Sequence, residues 1–381
     1  MIDFDGQILI PRGDVGDFAV VACDQFTSQP EYWDELYRTM PAGSALDFVL
    51  PECYLRRADE YIERIRQNGK RVFERFDNVC GAVAVTRTTV YGRVRRGIVA
   101  SVNLDDYDFA PDTSALIRAS ERTIVERIPP RVAIRKALDI ELPHIILLVD
   151  DRDGVLRRAA DSAEKQPLYD SDLRGRGGHI RGELIRAGQT AALYDAVSGI
   201  IESSSARYGT PLFALVGDGN HSLATAKRCH DDMPTAANGR ALVEIIDIYD
   251  EGLVFEPIHR IAKTDDPKGF VKEFGREVGG EVDAVIYTPE PVTVKVPKDK
   301  VEAIKRVDEF CERYAKKHGG ETDYVHGKDA LRRDGYCGIE LRGMEKSELF
   351  GYVVDNGVLP KKSFSLGEAE EKRFYIEARG I

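Results

Sequence analysis

The sequence has six cysteines (Cys23, Cys53, Cys80, Cys229, Cys311 and Cys337) and no C-x-x-C pair among them. That spacing excludes the usual zinc ribbons and thioredoxin-like redox motifs. It reads as reduced thiols of a cytoplasmic chain with no structural zinc. No apolar run approaches the roughly 18 residues of a membrane-spanning helix, and the start MIDFDGQILIPRGDVGD is too charged for a signal peptide. Positive charge is also short. There are 54 Lys and Arg against 65 Asp and Glu, a net charge of −11. A general nucleic-acid binder would carry a basic face, so nucleic acid is disfavoured as a partner and no membrane partner is expected. H-E-x-x-H and H-x-H spacings are absent, which counts against a metal-dependent hydrolase. Internal repeats and low-complexity segments are absent too.

Against this background Phe213 to Arg228 stands out, reading FALVGDGNHSLATAKR. Phe213 to Val216 suits a buried strand, Gly217-Asp218-Gly219 a turn, and Ser222 to Arg228 the first turns of a helix. Strand, glycine turn and helix start together aim free backbone N–H groups at an anion. Asp218, Asn220, His221 and Ser222 add an acid, an amide, an imidazole and a hydroxyl. The plainer reading is a turn with an N-cap at Asn220 or Ser222. The stretch is neither a P-loop, which needs Gly-x-x-x-x-Gly-Lys-Ser/Thr, nor a Rossmann fingerprint, whose third glycine is missing.

Other strand ends carry chemistry. Phe18 to Cys23 reads as a strand followed by Asp24 and a helix from Glu31. Strand ends are where sites sit in α/β folds, so Asp24 is a candidate beside an N-cap role. Cys80 to Thr89 and Val90 to Leu104 suggest a sheet pair, with Arg93, Arg95 and Arg96 on a solvated or anion-facing side. Ile117 to Arg131 reads as a helix ended by Pro129-Pro130. On it Glu121, Arg122, Arg127 and Arg131 mix acid and base, either as a base with an arginine clamp or as surface ion pairs. His144 to Asp151 is a strand ending in two acids, which suit Mg²⁺ or an ordinary turn. Gly175 to His179 is a glycine-rich loop, and Glu183 to Arg207 follows a helical pattern. Ala241 to Tyr249 is a buried strand. Val301 to Lys317 is an amphipathic helix, and Glu348 to Val353 reads as a strand. His259 and Arg260 offer a proton-transfer group and a bidentate anion donor, or a structural ion pair. Lys361, Lys362 and Ser363 suit phosphate contacts within a docked C-terminal segment.

Asp218-Gly219-Asn220-His221 resembles the Asp-Gly-His/Asn-His element of the domain of unknown function 1015 family. Four further stretches fall at the places of that family's elements: Asp24 after the first strand, Ser120-Glu121-Arg122-Thr123 with Ser in place of the family's His, Asp250-Glu251-Gly252-Leu253 and Pro257-Ile258-His259-Arg260. The central element is also similar to the ParB/sulfiredoxin-like signature, which binds nucleotide phosphates at a helix start. Ser222 stands where that signature has arginine, which removes a phosphate-pairing guanidinium. Lys227 and Arg228 are the nearby replacements.

The expected fold is α/β or α+β, a mixed sheet with flanking helices. Residues 1–262 would form the main domain, 263–320 a subdomain or insertion, and 321–381 a segment returning to the main domain. The expected function is an enzyme binding a nucleotide (ATP or ADP with Mg²⁺) or a phosphorylated metabolite. It would transfer or hydrolyse a phosphoryl group, for instance on serine or phosphoserine. His221, Glu121, Asp24 and His259 are the catalytic candidates. Asp218, Gly219, Asn220, Ser222, Arg122, Arg131, Arg260, Lys361 and Lys362 are the phosphate or ligand contacts, with Asp218 and Asp24 holding Mg²⁺. The partner would be a small molecule, the assembly a homodimer. A non-catalytic ligand sensor is the alternative.

Overall fold

The computed structural model describes residues 1–27, 29–123 and 128–381. Met1–Leu253 together with Ala369–Ile381 form one compact unit, and Val254–Glu368 a second.

The first unit is built on a sheet of eleven strands among the described residues. It opens with β1 (Ile2–Asp3), β2 (Gln7–Pro11), the short helix α1 (Val15–Phe18) and β3 (Val20–Val21). The expected strand from Phe18 is thus only two residues long, because Asp14 caps α1 through the Gly16 N–H and keeps Phe18 helical. Helices α2 (Pro30–Thr39) and α3 (Ala58–Gly69) follow. Next come the long antiparallel pair β4 (Phe76–Thr88) and β5 (Val94–Asn103), then β6 (Tyr107–Asp108) and β7 (Ile117–Ala119).

The helix expected over 117–131 is corrected on two counts. Ile117–Ala119 pairs in parallel with Ala214–Val216, and Pro129-Pro130 lie at the start, not the end, of α4 (Ile128–Arg135). Proline suits a first helical turn because its missing N–H has no partner there in any case. Strand β8 (Ile140–Glu141), β9 (Ile146–Val149) and helix α5 (Val155–Ser162) come next. After them lies the hairpin β10 (Gln166–Leu173) and β11 (Gly178–Arg186). Residues 183–186 therefore belong to a strand, and the helical pattern resolves into α6 (Ala191–Tyr208), ended by Gly209 at φ 69°. Then come β12 (Ala214–Asp218), α7 (Asn220–Asp232) and β13 (Arg240–Asp247).

Strand order is β10-β11-β4-β5-β13-β9-β12-β7-β6, with β1 beside β5 and β2 beside β4. Pairs β9–β13, β7–β12 and β6–β7 are parallel and the rest antiparallel, so the sheet is mixed as expected. Its middle strands read ILLV and ALV because both faces are covered. One face packs Ile8, Val20, Trp33 and Ile65; the other packs Leu147, Val149, Leu193, Phe213 and Leu223.

The second unit has its own sheet, ordered β16-β15-β18-β14-β17 with β19 beside β14. Its strands are β14 (Phe255–Lys263), β15 (Val282–Tyr287), β16 (Pro291–Val296), β17 (Thr322–His326), β18 (Tyr336–Ile339) and β19 (Phe364–Leu366). Helices α8 (Pro267–Glu277), α9 (Lys300–His318) and α10 (Lys346–Asn356) accompany them. Residues 348–353 are thus helical, nucleated by the Glu345/Glu348 capping box. Phe270, Phe274, Phe310 and Tyr314 centre this unit's core. The chain then re-enters the first unit, where β20 (Phe374–Tyr375) pairs with β3 and β21 (Arg379–Gly380) with β8.

Candidate functional site

Strand β12 ends at Asp218, and α7 begins two residues later. The hinge is Gly219, at φ 79° and ψ 25°, with no side chain capping the helix. The expected cap at Asn220 or Ser222 is replaced because both lie inside α7. A Cβ on Gly219 would sit 3.0 Å from the Ile145 Cα, so both the backbone conformation and the close approach call for glycine. Asn220, His221 and Ser222 form the first turn, whose N–H groups have no intrahelical acceptor. The buried Asn220 Oδ1 makes no hydrogen bond. The His221 carbonyl accepts the Thr225 hydroxyl at 2.6 Å.

Neighbouring strands deliver other groups to this level of the sheet. The register Ala119↔Val216 carries residues 120 and 121 alongside Gly217 and Asp218, and the buried Ser120 hydroxyl donates to the Val216 carbonyl. Glu121 is half-buried and Arg122 exposed just past β7; Arg127 lies outside the described residues. On the other side Asp218 pairs with Ile146, which places His144 and Ile145 beside the α7 start.

His144 connects to Asp24 and to the returning chain. The Cys23 N–H donates to the Tyr375 hydroxyl at 3.2 Å, and that hydroxyl lies 2.8 Å from His144 Nδ1. When the phenol donates to Nδ1, Nε2 carries the imidazole proton. Nε2 faces Asp24 Oδ1 at 3.9 Å, and the Gln25 amide donates to the same oxygen at 2.9 Å. Burial, and then Cys23 and Asp24, hold the Tyr375 phenol well above its ordinary range, which keeps it a donor. Burial, and then Asp24, push the Cys23 thiol up to about 12, so it is not a nucleophile.

A cleft of about 120 Å³ runs from this cluster along α7. Val49, Leu50, Ile134, Leu138 and Leu142 wall it, Ser222 and Thr225 edge it, and Cys23 and Tyr375 reach its end. Arg131 lines it while paired with Glu52 at 3.1 Å. Glu141, also lining it, is held below the usual carboxylate range by Arg135 and Arg379 against the cost of burial.

The returning segment also brings Lys372, which is 6 % exposed, with Nζ 3.4 Å from Asp218 Oδ2. Asp218 Oδ1 accepts the Gly219 N–H at 2.9 Å. Arg373 pairs with Glu377 at 2.8 Å and with Glu244 at 3.6 Å. The arginines of the β4–β5 pair divide: Arg96 is exposed, while Arg95 is buried against Glu244 and the Glu371 carbonyl. Arg87, its cross-strand partner, is pulled down to about 9 by burial and by Arg95.

The second unit holds the remaining candidates. His259 is buried on β14, and its Nδ1 accepts the Leu341 N–H at 3.2 Å, with burial lowering its pKa. Arg260 makes a two-point ion pair with Asp308, at 2.6 and 3.1 Å, and donates to the Lys362 carbonyl. Lys361 lies over the Tyr324 ring and 4.0 Å from Glu312. Lys362 takes a left-handed turn at φ 57°.

Asp150 and Asp151, the two acids after β9, are committed to protein partners. Tyr208, Tyr249, Arg207 and Arg152 hold Asp150, and Asp151 caps α5 through the Val155 and Leu156 N–H groups. Asp218 and Asp24 do not make a protein cage for Mg²⁺. Asp218 faces an ammonium, and among the described residues no group of three or more His, Cys, Asp or Glu is placed to hold a metal ion. Sequence reasoning missed His144, Tyr375 and Lys372. The position of Tyr375 beside Asp24 depends on the β20–β3 pairing.

The family model described as "Protein of unknown function (DUF1015)" matches residues 7–336. The chain belongs to this family. The DUF1015 match takes in β12, the α7 turn and His144, and stops before Lys372 and Tyr375. No curated protein matches the sequence. Among solved structures, a conserved hypothetical protein from Pyrococcus furiosus is similar at 13 % identity and TM-score 0.39, over 74 % of this chain and 94 % of that one. A free serine kinase in complex with AMP is similar at 12 % and 0.39, over 73 % and 87 %. SbnI with a C-terminal truncation from Staphylococcus aureus is similar at 11 % and 0.38, over 73 % and 82 %. TM-scores of this size carry no inference about ligand or reaction. Among the described residues no helix is long and apolar enough to cross a membrane.

Proposed function

We propose that the chain is an enzyme that binds a nucleotide, or a phosphorylated small metabolite, at the start of α7 and moves a phosphoryl group to or from a hydroxyl. The observation that supports this is the α7 start itself. Gly219 launches an uncapped helix from the end of a buried strand, close against Ile145. Helix N–H groups and the helix dipole favour an anion there. On this reading the N–H groups of Asn220, His221 and Ser222 hold phosphate, as in the ParB/sulfiredoxin-like elements that Asp218 to His221 resemble. The cleft along α7 takes the organic part of a ligand, with Arg131 and Glu52 at its wall.

Proton transfer is assigned to Asp24. Its carboxylate faces Nε2 of His144, whose Nδ1 meets the Tyr375 hydroxyl. Glu121, just past β7, and His221, in the first turn of α7, are ligand contacts. In the forward direction the acceptor oxygen bonds to the terminal phosphorus, the bond from that phosphorus to the bridging oxygen breaks, and the hydroxyl proton passes to Asp24. Positioning and fixed charge supply most of such catalysis.

The test is ADP formation from ATP and Mg²⁺ with a panel of small hydroxylated metabolites that includes serine. Acceptor-dependent ADP formation that is lost in Asp24→Asn supports the reading. If no acceptor, nor water, yields ADP, and ADP or ATP gives no thermal protection, the reading fails. Ligand at about 100 times its Kd would add roughly 2.7 kcal/mol, so real binding is readily seen.

A further inference from the structure

Lys372 is a buried ammonium with more donors than protein acceptors. The residue is 6 % exposed, yet among the described residues Nζ meets one charged partner, Asp218 Oδ2 at 3.4 Å. That oxygen is buried and makes no hydrogen bond. An ammonium has three donors, and one carboxylate oxygen at 3.4 Å leaves donors for a further acceptor. The geometry says where. Asp218 is bonded through its other oxygen to the N–H of Gly219, the residue from which α7 starts. The ammonium and the start of the uncapped helix thus meet the same carboxylate through its two oxygens, and each favours an anion.

Other cations around α7 are already committed. Lys227 pairs with Asp231 at 2.9 Å and Arg228 with Asp232 at 3.0 Å, each one turn along the same helix. Arg131 is held by Glu52. Arg373 has Glu377 and Glu244. The guanidinium that Ser222 does not supply is thus not replaced from α7.

We infer that Lys372, delivered by the C-terminal segment that re-enters the first unit, is the catalytic cation of this site: it holds a phosphate oxygen of the ligand and stabilises the charge on the transferring group. This rests on the reading of α7 as the phosphate turn. Lys372 forms no bond in the transfer. Its ammonium stays protonated, turning from Asp218 toward the phosphate oxygens as charge gathers on them. The segment that carries it lies beyond residues 7–336, the part that the family model matches.

The experiment measures binding of ADP and of inorganic pyrophosphate to the full chain by calorimetry, for the parent, Lys372→Gln, Lys372→Arg and Lys227→Gln. Lys372→Gln should lose at least tenfold in affinity for both, Lys372→Arg should recover most of it, and Lys227→Gln should match the parent. The double variant Lys372→Met with Asp218→Asn replaces the ion pair by a neutral pair, and it should also lose tenfold or more if the single variant fails to fold. Binding by Lys372→Gln or by the double variant within twofold of the parent overturns the role of Lys372 and leaves the phosphate turn standing. A parent that binds neither ADP nor pyrophosphate overturns both.

Discussion

The Tyr375 hydroxyl lies 2.8 Å from His144 Nδ1 and itself accepts the Cys23 N–H, so one phenol meets both a buried imidazole and a backbone donor. Residues 231 positions apart thereby meet at an imidazole that faces Asp24. Tyr375→Phe keeps the ring and deletes both bonds. It should cost about 1–3 kcal/mol, mostly from the stranded Cys23 N–H. The sharper readout is ¹⁵N NMR of the imidazole. The parent should show His144 protonated at Nε2, and Tyr375→Phe should show a mixture of tautomers. The same single tautomer in both proteins would mean that Tyr375 does not set it.

Gly219→Ala tests the hinge. Alanine in a left-handed conformation costs on the order of 1–2 kcal/mol, and its Cβ would stand 3.0 Å from the backbone of Ile145. A urea unfolding curve should show a loss of about 2 kcal/mol. Gly199, inside α6 with nothing within 4 Å of an added Cβ, is the control. There alanine should stabilise by roughly 0.5–1 kcal/mol, because only the helix-propensity term changes. Equal effects at the two positions would show that the turn at Gly219 is not constrained.

How far these features could be read in advance differs by their range. Buried strands at 146–149, 214–218 and 240–247 stood out as apolar runs, and the acid-rich turn after β12 was visible in its glycines. Strand β7 was lost in a helical reading because three residues carry no periodicity, and its place is set by pairing with β12. Lys372, Tyr375 and His144 were illegible for the same reason. Nothing local to Glu371-Lys372-Arg373 says that this segment pairs with β3 across most of the chain length. Arg95 was misjudged as part of a solvated or anion-facing stripe because the acids that bury it, Glu244 and Glu371, lie far along the chain.

In the second unit, Arg260 is 2 % exposed and Asp308 supplies both of its charged contacts. Breaking such a pair strands a charge, which costs about 3–5 kcal/mol. Asp308→Ala should therefore destabilise the protein strongly. Asp308→Ala with Arg260→Met should regain most of the loss, because no charge is then left buried. If the double variant is as unstable as the single one, the pair is not what Arg260 contributes.

At the far end of β13, Asp247 is pushed up to about 6, chiefly by burial and then by Asp151 and Asp250. Arg96, Arg157, Lys165, Asp161 and Glu183 share the cleft it lines, and its Oδ1 accepts the Tyr249 N–H. Its pKa in the unfolded chain is near 3.8. Between these values the folded protein holds a proton that the unfolded chain has lost, so stability falls as pH rises from about 4 to about 6 and is level above that. Asp247→Asn keeps an acceptor for Tyr249 and removes the charge. With the shift discounted for partial exposure, the variant should be more stable than the parent by roughly 1 kcal/mol at pH 7.5 and equal to it at pH 4. Urea midpoints at the two pH values decide the matter. A difference of the same size at both would trace the effect to packing, and the buried carboxylate would not be the cause.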